Sequence, residues 1–434
     1  MRLATIVRPC LLSVAFGAVA STRSSDATAQ AYAAPAAPPA EAAPAPPIIR
    51  PYAVIKPTVI FTAKPVESFG QPNASGATAA ANPVLSARAP GDAPLEDASW
   101  TFQSAMSRFG LWFNEKAPVR GQVEVDFLDF TRSSPTTGSL PRLRIAKAEW
   151  ALSDSTLLVA GQDWDLFSPV NPYTMDIAVV AFQGGNTGFM RQQAKLIWHN
   201  QSLELGGAIG LAGVNNGAKA LLPEYNPLPT FAVRAAALFG AAGRVGVSAI
   251  ATNWRFAAGN AAAERTAFAG GANLYGDVTP FERFNLRFEA YYGQNLANLG
   301  ALSLGTGRAD EDLQEVGGFV SARYGLSDTH ALYGLAAMAK VLNDEDVVPS
   351  YTYGTVAMDT TPAESAATVA GTGPGITSNF SARLGYEYRY NKSIALMLEG
   401  FMFQTEHVLN ADFDLDIDGD RNAFGGEACL YFTF

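Results

Sequence analysis

Polar and apolar residues alternate along most of the chain after residue 50. The segment from Arg283 to Ala290 is the clearest case, because its odd-numbered residues are polar and its even-numbered residues are apolar. Residues 119–127 and 379–390 repeat this pattern. A period of two places alternate side chains on opposite faces of a β-sheet. The pattern therefore predicts an all-β chain, either a soluble β-sandwich or a β-barrel.

The lengths of the connections distinguish these two folds. We predict sixteen strands, beginning near residues 52, 99, 118, 141, 155, 189, 202, 229, 244, 265, 281, 313, 329, 376, 392 and 422. Turns of one to four residues alternate with longer connections, of which 63–98 and 342–375 are the longest. Short turns at one end and long loops at the other are typical of outer-membrane barrels. We therefore predict a transmembrane antiparallel up-and-down β-barrel of about 16 strands.

The last predicted strand alternates in the same way and ends on Phe434. A terminal phenylalanine on such a strand resembles the C-terminal signal of bacterial outer-membrane proteins, which the barrel-assembly machinery reads. This resemblance implies a location in the bacterial outer membrane. It also implies that the last strand ends in the periplasm, so that the short turns are periplasmic and the long loops are extracellular.

The first 49 residues differ from the rest of the chain. Arg2 and Arg8 precede an apolar run that ends in Ala18-Val19-Ala20, which is the pattern of a secretory signal peptide. A second candidate cleavage site follows Ala29. The Ala/Pro tract at residues 31–47 favours extended polyproline II structure. We predict a signal peptide over 1–20, a periplasmic linker over 21–49 and a barrel domain over 50–434.

Composition and charge exclude several classes of protein. Charged residues make up 16% of the chain, compared with about 25% in a typical soluble domain. No run of 18 uninterrupted apolar residues exists, which excludes a transmembrane helix. The net charge of −10 argues against a nucleic-acid partner, since such proteins normally present a basic face. The three histidines lack a nearby nucleophile and carboxylate at a familiar spacing, and we predict no enzymatic activity.

Arginines in the middle of the predicted strands are expected to face the lumen, because a charge on the lipid face costs about 2–4 kcal/mol. About sixteen strands enclose a water-filled channel. Glu124, Glu289 and Glu399 lie at similar heights, so the arginines either attract anions or pair with neighbouring carboxylates. The predicted basic residues of the pore are Arg108, Arg142, Arg144, Arg191, Arg234, Arg287 and Arg383.

Four segments resemble the DcaP-like trimeric porins, an outer-membrane family associated with uptake of small anionic and dicarboxylate-type solutes. They are Tyr52–Lys56, Ser107–Leu111, Pro141–Arg144 and Ala160–Trp164, and the likeness is good over about residues 50–200. It implies a homotrimer, embedded in outer-membrane lipid and lipopolysaccharide, that passes small solutes. Family members often carry an N-terminal coiled coil, which the Ala/Pro tract replaces here.

The connection at 166–188 follows the fifth predicted strand. In trimeric sixteen-stranded porins the loop at this position folds inward and narrows the pore. By that analogy Asp163, Asp165 and Asp176 bring negative charge near the constriction. The alternative is an outward loop whose carboxylates are solvated.

An acidic cluster precedes the last predicted strand. Asp414, Asp416 and Asp418, followed by glycine, match the first half of a calcium-binding loop, but Gly425 occupies the position of the terminal glutamate. One hypothesis is that these three residues bind Ca²⁺ and bridge lipopolysaccharide phosphates. The alternative is an extension of the last strand with one acidic face.

Two functions from different classes remain. The first is a porin for passive diffusion of small hydrophilic, anionic solutes, which is ion transport without a cofactor or an energy source. The second is a structural or adhesive barrel with a plugged lumen, whose long loops bind partners outside the cell.

Overall fold

The structure is a computed structural model that describes residues 48–63, 98–127, 141–175, 185–188, 190–212, 226–256, 265–300, 303–304, 312–343, 376–407 and 420–434. The predicted signal peptide and nearly all of the predicted linker lie outside the described residues. Asp176 and the three predicted calcium ligands, Asp414, Asp416 and Asp418, also lie outside them.

Within the described ranges, alternating segments of the sequence form eighteen β-strands, and Gly240–Ala242 and Leu296–Leu299 form short 3₁₀ helices. In the part of the chain that the structure describes, no helix is long and apolar enough to cross a membrane. The strands are β1 (Ile49–Ile55), β2 (Thr58–Thr62), β3 (Ser99–Gln103), β4 (Arg108–Phe113), β5 (Val119–Asp126), β6 (Arg142–Ser153), β7 (Thr156–Trp164), β8 (Met190–His199), β9 (Leu203–Gly210), β10 (Thr230–Leu238), β11 (Gly243–Phe256), β12 (Arg265–Phe281), β13 (Phe284–Gln294), β14 (Gln314–Gly325), β15 (His330–Val341), β16 (Ile376–Arg389), β17 (Ile394–His407) and β18 (Asp420–Thr433).

The strands form one closed antiparallel barrel. β1 and β2 are two halves of one wall strand, which is interrupted at Lys56-Pro57, where proline cannot donate a hydrogen bond to the ladder. β3 and β4 are the two halves of the next wall strand. The ring closes because β18 pairs with both β1 and β2. The eighteen segments therefore make sixteen wall strands, which confirms the predicted fold and strand number.

The predicted turn at Thr279-Pro280 is wrong by a few residues. β12 continues to Phe281, with a register shift after Val278, and the turn lies at Glu282-Arg283. Arg283 adopts a positive φ of 67°. The chain reverses at this left-handed residue, three positions after Pro280, so the proline lies in the last residues of β12 and not in the turn.

A β-bulge explains why β6 alternates irregularly. Glu124 of β5 pairs with Ile145, but the next residue, Val125, pairs with Leu143, so one additional residue of β6 lies between them. Such an insertion reverses the parity of the strand. Lys147 and Glu149 consequently face the lumen, although Leu143 on the same parity is 44% exposed on the outer surface.

The outer surface of the barrel is apolar, with aromatic side chains towards both ends. Leu384, near the middle of β16, is 70% exposed. An apolar band flanked by two aromatic girdles is the outer surface of membrane β-barrels. The exposed aromatic residues include Trp150, Trp198, Phe239, Phe281 and Tyr324 at the end with the short turns, and Phe231, Phe268, Tyr292, Phe380 and Phe424 at the other end.

Candidate functional site in the barrel lumen

The segment that follows β7 crosses the lumen, and we call residues 165–175 the inward loop. Its backbone is bonded to inward side chains of five wall strands. The Lys56 ammonium group, between β1 and β2, donates to the carbonyl of Met175. The prediction that this loop folds into the barrel is therefore confirmed for the described residues. The bonds join Phe167 O to the donors of Ser248 and Asn273, Val170 N to Glu289, Tyr173 N to Ser321, and Met175 N to Glu399.

A second segment also enters the lumen, and it was not predicted. Residues Asn295–Gly300 follow β13, and the side chain of Leu299 is fully buried. Leu304 is fully buried too, and its backbone N–H donates to Glu315 at 2.8 Å. The available sequence signal was the presence of four leucines, at 296, 299, 302 and 304, in a connection expected to face water.

These two segments fill one side of the lumen with packed apolar side chains. Leu166 and Phe167 of the inward loop are completely buried against the β9–β13 wall. The cluster is dry and contiguous, so solutes have no path through it. Its other members are Ala212, Ala232, Ile250, Trp254, Ala269, Tyr291, Leu296 and Leu299.

One buried guanidinium group holds this side of the lumen together. Arg191 donates from Nη2 to Asp165 at 2.9 Å. Its Nη1 donates to the carbonyls of Leu211, Ala212 and Leu299 at 3.3, 2.9 and 2.8 Å. Arg191 therefore links the inward loop to two further segments that leave the ends of β9 and β13.

A cavity remains on the other side of the inward loop. It lies between the inward loop and the inner faces of β1, β4–β6 and β16–β17, and Arg287 of β13 also borders it. Among the residues that the structure describes, seven basic and two acidic ones line it. The basic residues are Lys56, Arg108, Arg142, Arg144, Arg287, Arg389 and Lys392, and the acidic residues are Asp126 and Glu387.

Three arginines form a cluster on the wall of this cavity, which we call the arginine cluster. Arg142 makes a bidentate contact with Asp126, with distances of 2.9 and 2.6 Å. Arg144 pairs with Glu124, and Arg108 Nε lies 3.8 Å from Glu124 Oε2. Counted over these five described residues, three guanidinium groups face two carboxylates.

The predicted basic residues of the pore fall into two groups. Four of the seven line the cavity, while Arg191, Arg234 and Arg383 are covered in ion pairs, with 3%, 2% and 0% of their side chains exposed. Arg234 pairs with Glu204 at 2.7 Å. Arg383 pairs with Glu399 and, at 2.9 Å, with Glu427.

The described acidic residues that were predicted for the constriction are also buried in ion pairs. Asp163 lies 2.6 Å from Lys195 and 3.4 Å from Lys147. Asp165 pairs with Arg191, and its other oxygen accepts the backbone N–H groups of residues 167 and 168. Both carboxylates hold the base of the inward loop, and neither borders the cavity.

Three of the basic cavity residues were not among the predicted pore residues. Lys56 and Arg389 lie in segments whose alternation was visible, and counting parity from Tyr52 or Arg383 places both on the inner face. Lys392 lies in the short turn after β16, where no periodicity applies. Strand parity was therefore sufficient to find two of the three.

No model of a known protein family and no curated protein matches the sequence significantly. Solved structures do match the fold. The outer membrane channel DcaP of Acinetobacter baumannii has a TM-score of 0.60 at 13% sequence identity, covering 89% of this chain and 97% of its own. An anion-selective porin from Comamonas acidovorans has a TM-score of 0.52 at 11% identity, covering 89% and 99%. OmpF of Salmonella typhi, in complex with daunomycin, has a TM-score of 0.51 at 10% identity, covering 89% and 97%.

These similar structures are porins and channels, and none is described as an enzyme. Four short segments resemble DcaP-like porins in sequence, and the similarity of fold to the DcaP channel extends over 89% of the chain. The apolar outer surface with its two aromatic girdles agrees with the predicted outer-membrane location. The chain has the fold of the outer-membrane porins.

Proposed function

We propose that this protein is a homotrimeric outer-membrane porin through which small hydrophilic anions diffuse passively. The observation that carries the proposal is the lining of the cavity, with seven basic and two acidic residues. The net charge of the whole chain is −10. The positive charge is therefore a local property of this passage and does not follow from composition.

Distance decides which of these charges select solutes. At physiological ionic strength, exposed charges separated by more than about 8 Å are largely screened. Only the groups that border the narrow passage act on a passing ion, and here these are mainly arginines and lysines. Arginine also matches carboxylates geometrically, because its planar fork donates paired hydrogen bonds.

One observation favours the second candidate function, a structural barrel with a closed lumen. The inward loop and residues 295–304 pack one side of the lumen with apolar side chains. If the described cavity does not connect the two membrane faces, no current will pass.

Planar-bilayer recording distinguishes the two functions. We expect conductance steps in groups of three. In a KCl gradient, we expect the reversal potential to be shifted towards the equilibrium potential of chloride. Arg108→Gln should move the reversal potential towards that of potassium, because it removes a cation that borders the passage. Arg283→Gln is the matched control, since Arg283 lies at a short turn with 46% of its side chain exposed. Absence of conductance would support the closed barrel, and cation preference of the unmodified protein would refute the anion proposal.

A further inference from the structure

The cavity has a second wall of different chemistry. The cavity is also lined by Met106, Met175 and Met397 with two tyrosines, Tyr173 and Tyr333, and we call these five residues the thioether wall; a fourth methionine, Met190, borders the cavity as well. Met175 and Tyr333 belong to one buried cluster, against which Tyr173 and Met397 pack. Met106 is adjacent to this cluster, because Lys56 Nζ lies 3.4 Å from its sulfur and also donates to Met175 O.

The backbone of the thioether wall is held in place by polar contacts. Tyr173 donates its N–H to Ser321 at 2.9 Å and its hydroxyl to Asn285 at 2.8 Å. The Arg287 guanidinium lies 4.1 Å from the centre of its ring. Met175 donates its N–H to Glu399 at 2.8 Å. The methionine side chains above this fixed backbone are unbranched and polarisable, and they adapt to apolar groups of different shape.

A passage for strongly hydrated ions does not need an apolar wall of this kind. Chloride or acetate interacts favourably with the arginines alone, and the methionines offer it nothing. An alkyl or ring group on the same anion gains from leaving water, by about fourfold in affinity for each fully buried methylene. The juxtaposition of guanidinium groups and thioether side chains in one cavity thus matches a solute with one charged end and one apolar end.

We propose that the cavity is a binding subsite for amphiphilic organic monoanions. The arginine cluster binds the carboxylate or sulfonate group, and the thioether wall binds the hydrocarbon part. This inference rests on the proposed porin function and adds to it a preference among anions. It assigns Met106 and Met397 as specificity-determining residues.

Inhibition of chloride current in planar bilayers tests the inference with two probes, hexanoate and acetate, at equal ionic strength. Hexanoate has four more methylenes, and partial burial of these should lower its half-inhibiting concentration about tenfold relative to acetate. Met397→Gln combined with Met106→Gln should remove most of this difference and leave acetate unchanged. Replacement of both by leucine is the matched control, because it keeps the wall apolar, and the preference should persist.

The possible results separate this inference from the porin function on which it rests. If the pore conducts and favours chloride, but hexanoate and acetate inhibit equally, the subsite is refuted and the porin function stands. If the glutamine variant keeps the full preference for hexanoate, the assignment of the thioether wall is refuted. Absence of any current refutes the porin function itself, and a protein-free bilayer corrects for hexanoate that acts on the lipid.

Discussion

Arg191 offers the sharpest test of how the lumen is organised. Its guanidinium group bonds Asp165 of the inward loop and the carbonyls of Leu211, Ala212 and Leu299. Arg191→Met keeps an unbranched side chain about as long as the arginine stem, lacks the guanidinium group and removes all of these bonds. We expect the inward loop and residues 295–300 to leave their packed positions, and the conductance of the pore to become larger and noisier.

The magnitude follows from burial. Arg191 and Asp165 expose 3% and 0% of their side chains, so the variant leaves an unpaired carboxylate in a dry environment. Removing one partner of a buried ion pair costs about 3–5 kcal/mol. This changes the equilibrium constant between the packed and unpacked positions of the loops by roughly two to four orders of magnitude. The barrel wall does not depend on this contact, because its strands are joined by backbone ladders. The cost should therefore appear as movement of the loops, and the wall should remain folded.

Single-channel recording measures the conductance, while circular dichroism and heat-dependent mobility on gels report whether the barrel has folded. Arg191→Met with Asp165→Asn is the informative second variant. Asparagine removes the negative charge that Arg191→Met leaves unpaired, and it keeps an acceptor for the backbone N–H groups of residues 167 and 168. It should recover part of the unmodified behaviour. An unchanged conductance in Arg191→Met, or a double variant that is no closer to the unmodified protein, would contradict this account.

Three further predictions concern the wall and the inward loop. Leu384→Arg should lower the stability of the folded barrel in a urea titration by about 2–4 kcal/mol, because it places a charge on the lipid face, whereas the same change at Asn391 in a short turn should have no effect. Gly385→Val should lower stability by about 1–3 kcal/mol in the same titration, since a Cβ at this position would overlap the ring of Tyr333; an unchanged midpoint would refute the packing argument. Glu289→Leu removes the carboxylate that accepts hydrogen bonds from two donors in the inward loop, and each buried donor left unpaired costs about 1–3 kcal/mol. Recordings of this variant should show more frequent current fluctuations than recordings of the isosteric Glu289→Gln.

Local alternation was sufficient to predict the wall. Every predicted strand begins within three residues of the observed one, and most short turns were placed correctly. Alternation is a property of neighbouring residues, and the apolar outer face imposes it on every strand that crosses the membrane. It became irregular where a bulge at Arg144 changed the parity of β6, because a bulge depends on the partner strand, and it misplaced the turn after β12.

The content of the lumen depended on contacts that no local pattern records. Strand parity places Arg108, Arg234 and Arg383 equally on the inner face, yet only the first of these three borders the cavity. The difference arises because the inward loop covers one region of the wall and leaves another accessible. Which carboxylate pairs with which arginine likewise depends on strand register.

The sequence by itself determined a closed sheet of sixteen strands, the alternation of short turns with long loops, and the inner face of most strands. These features follow from a period of two and from the cost of charge in lipid. The tertiary structure decided which inner residues a solute can reach. Two loops fold back across the lumen, and their positions are set by buried groups such as Arg191, Glu289 and Glu399, which come from strands far apart in the chain. Docking of this kind is a sum of non-local contacts, and the residues on either side of each group carry no record of it.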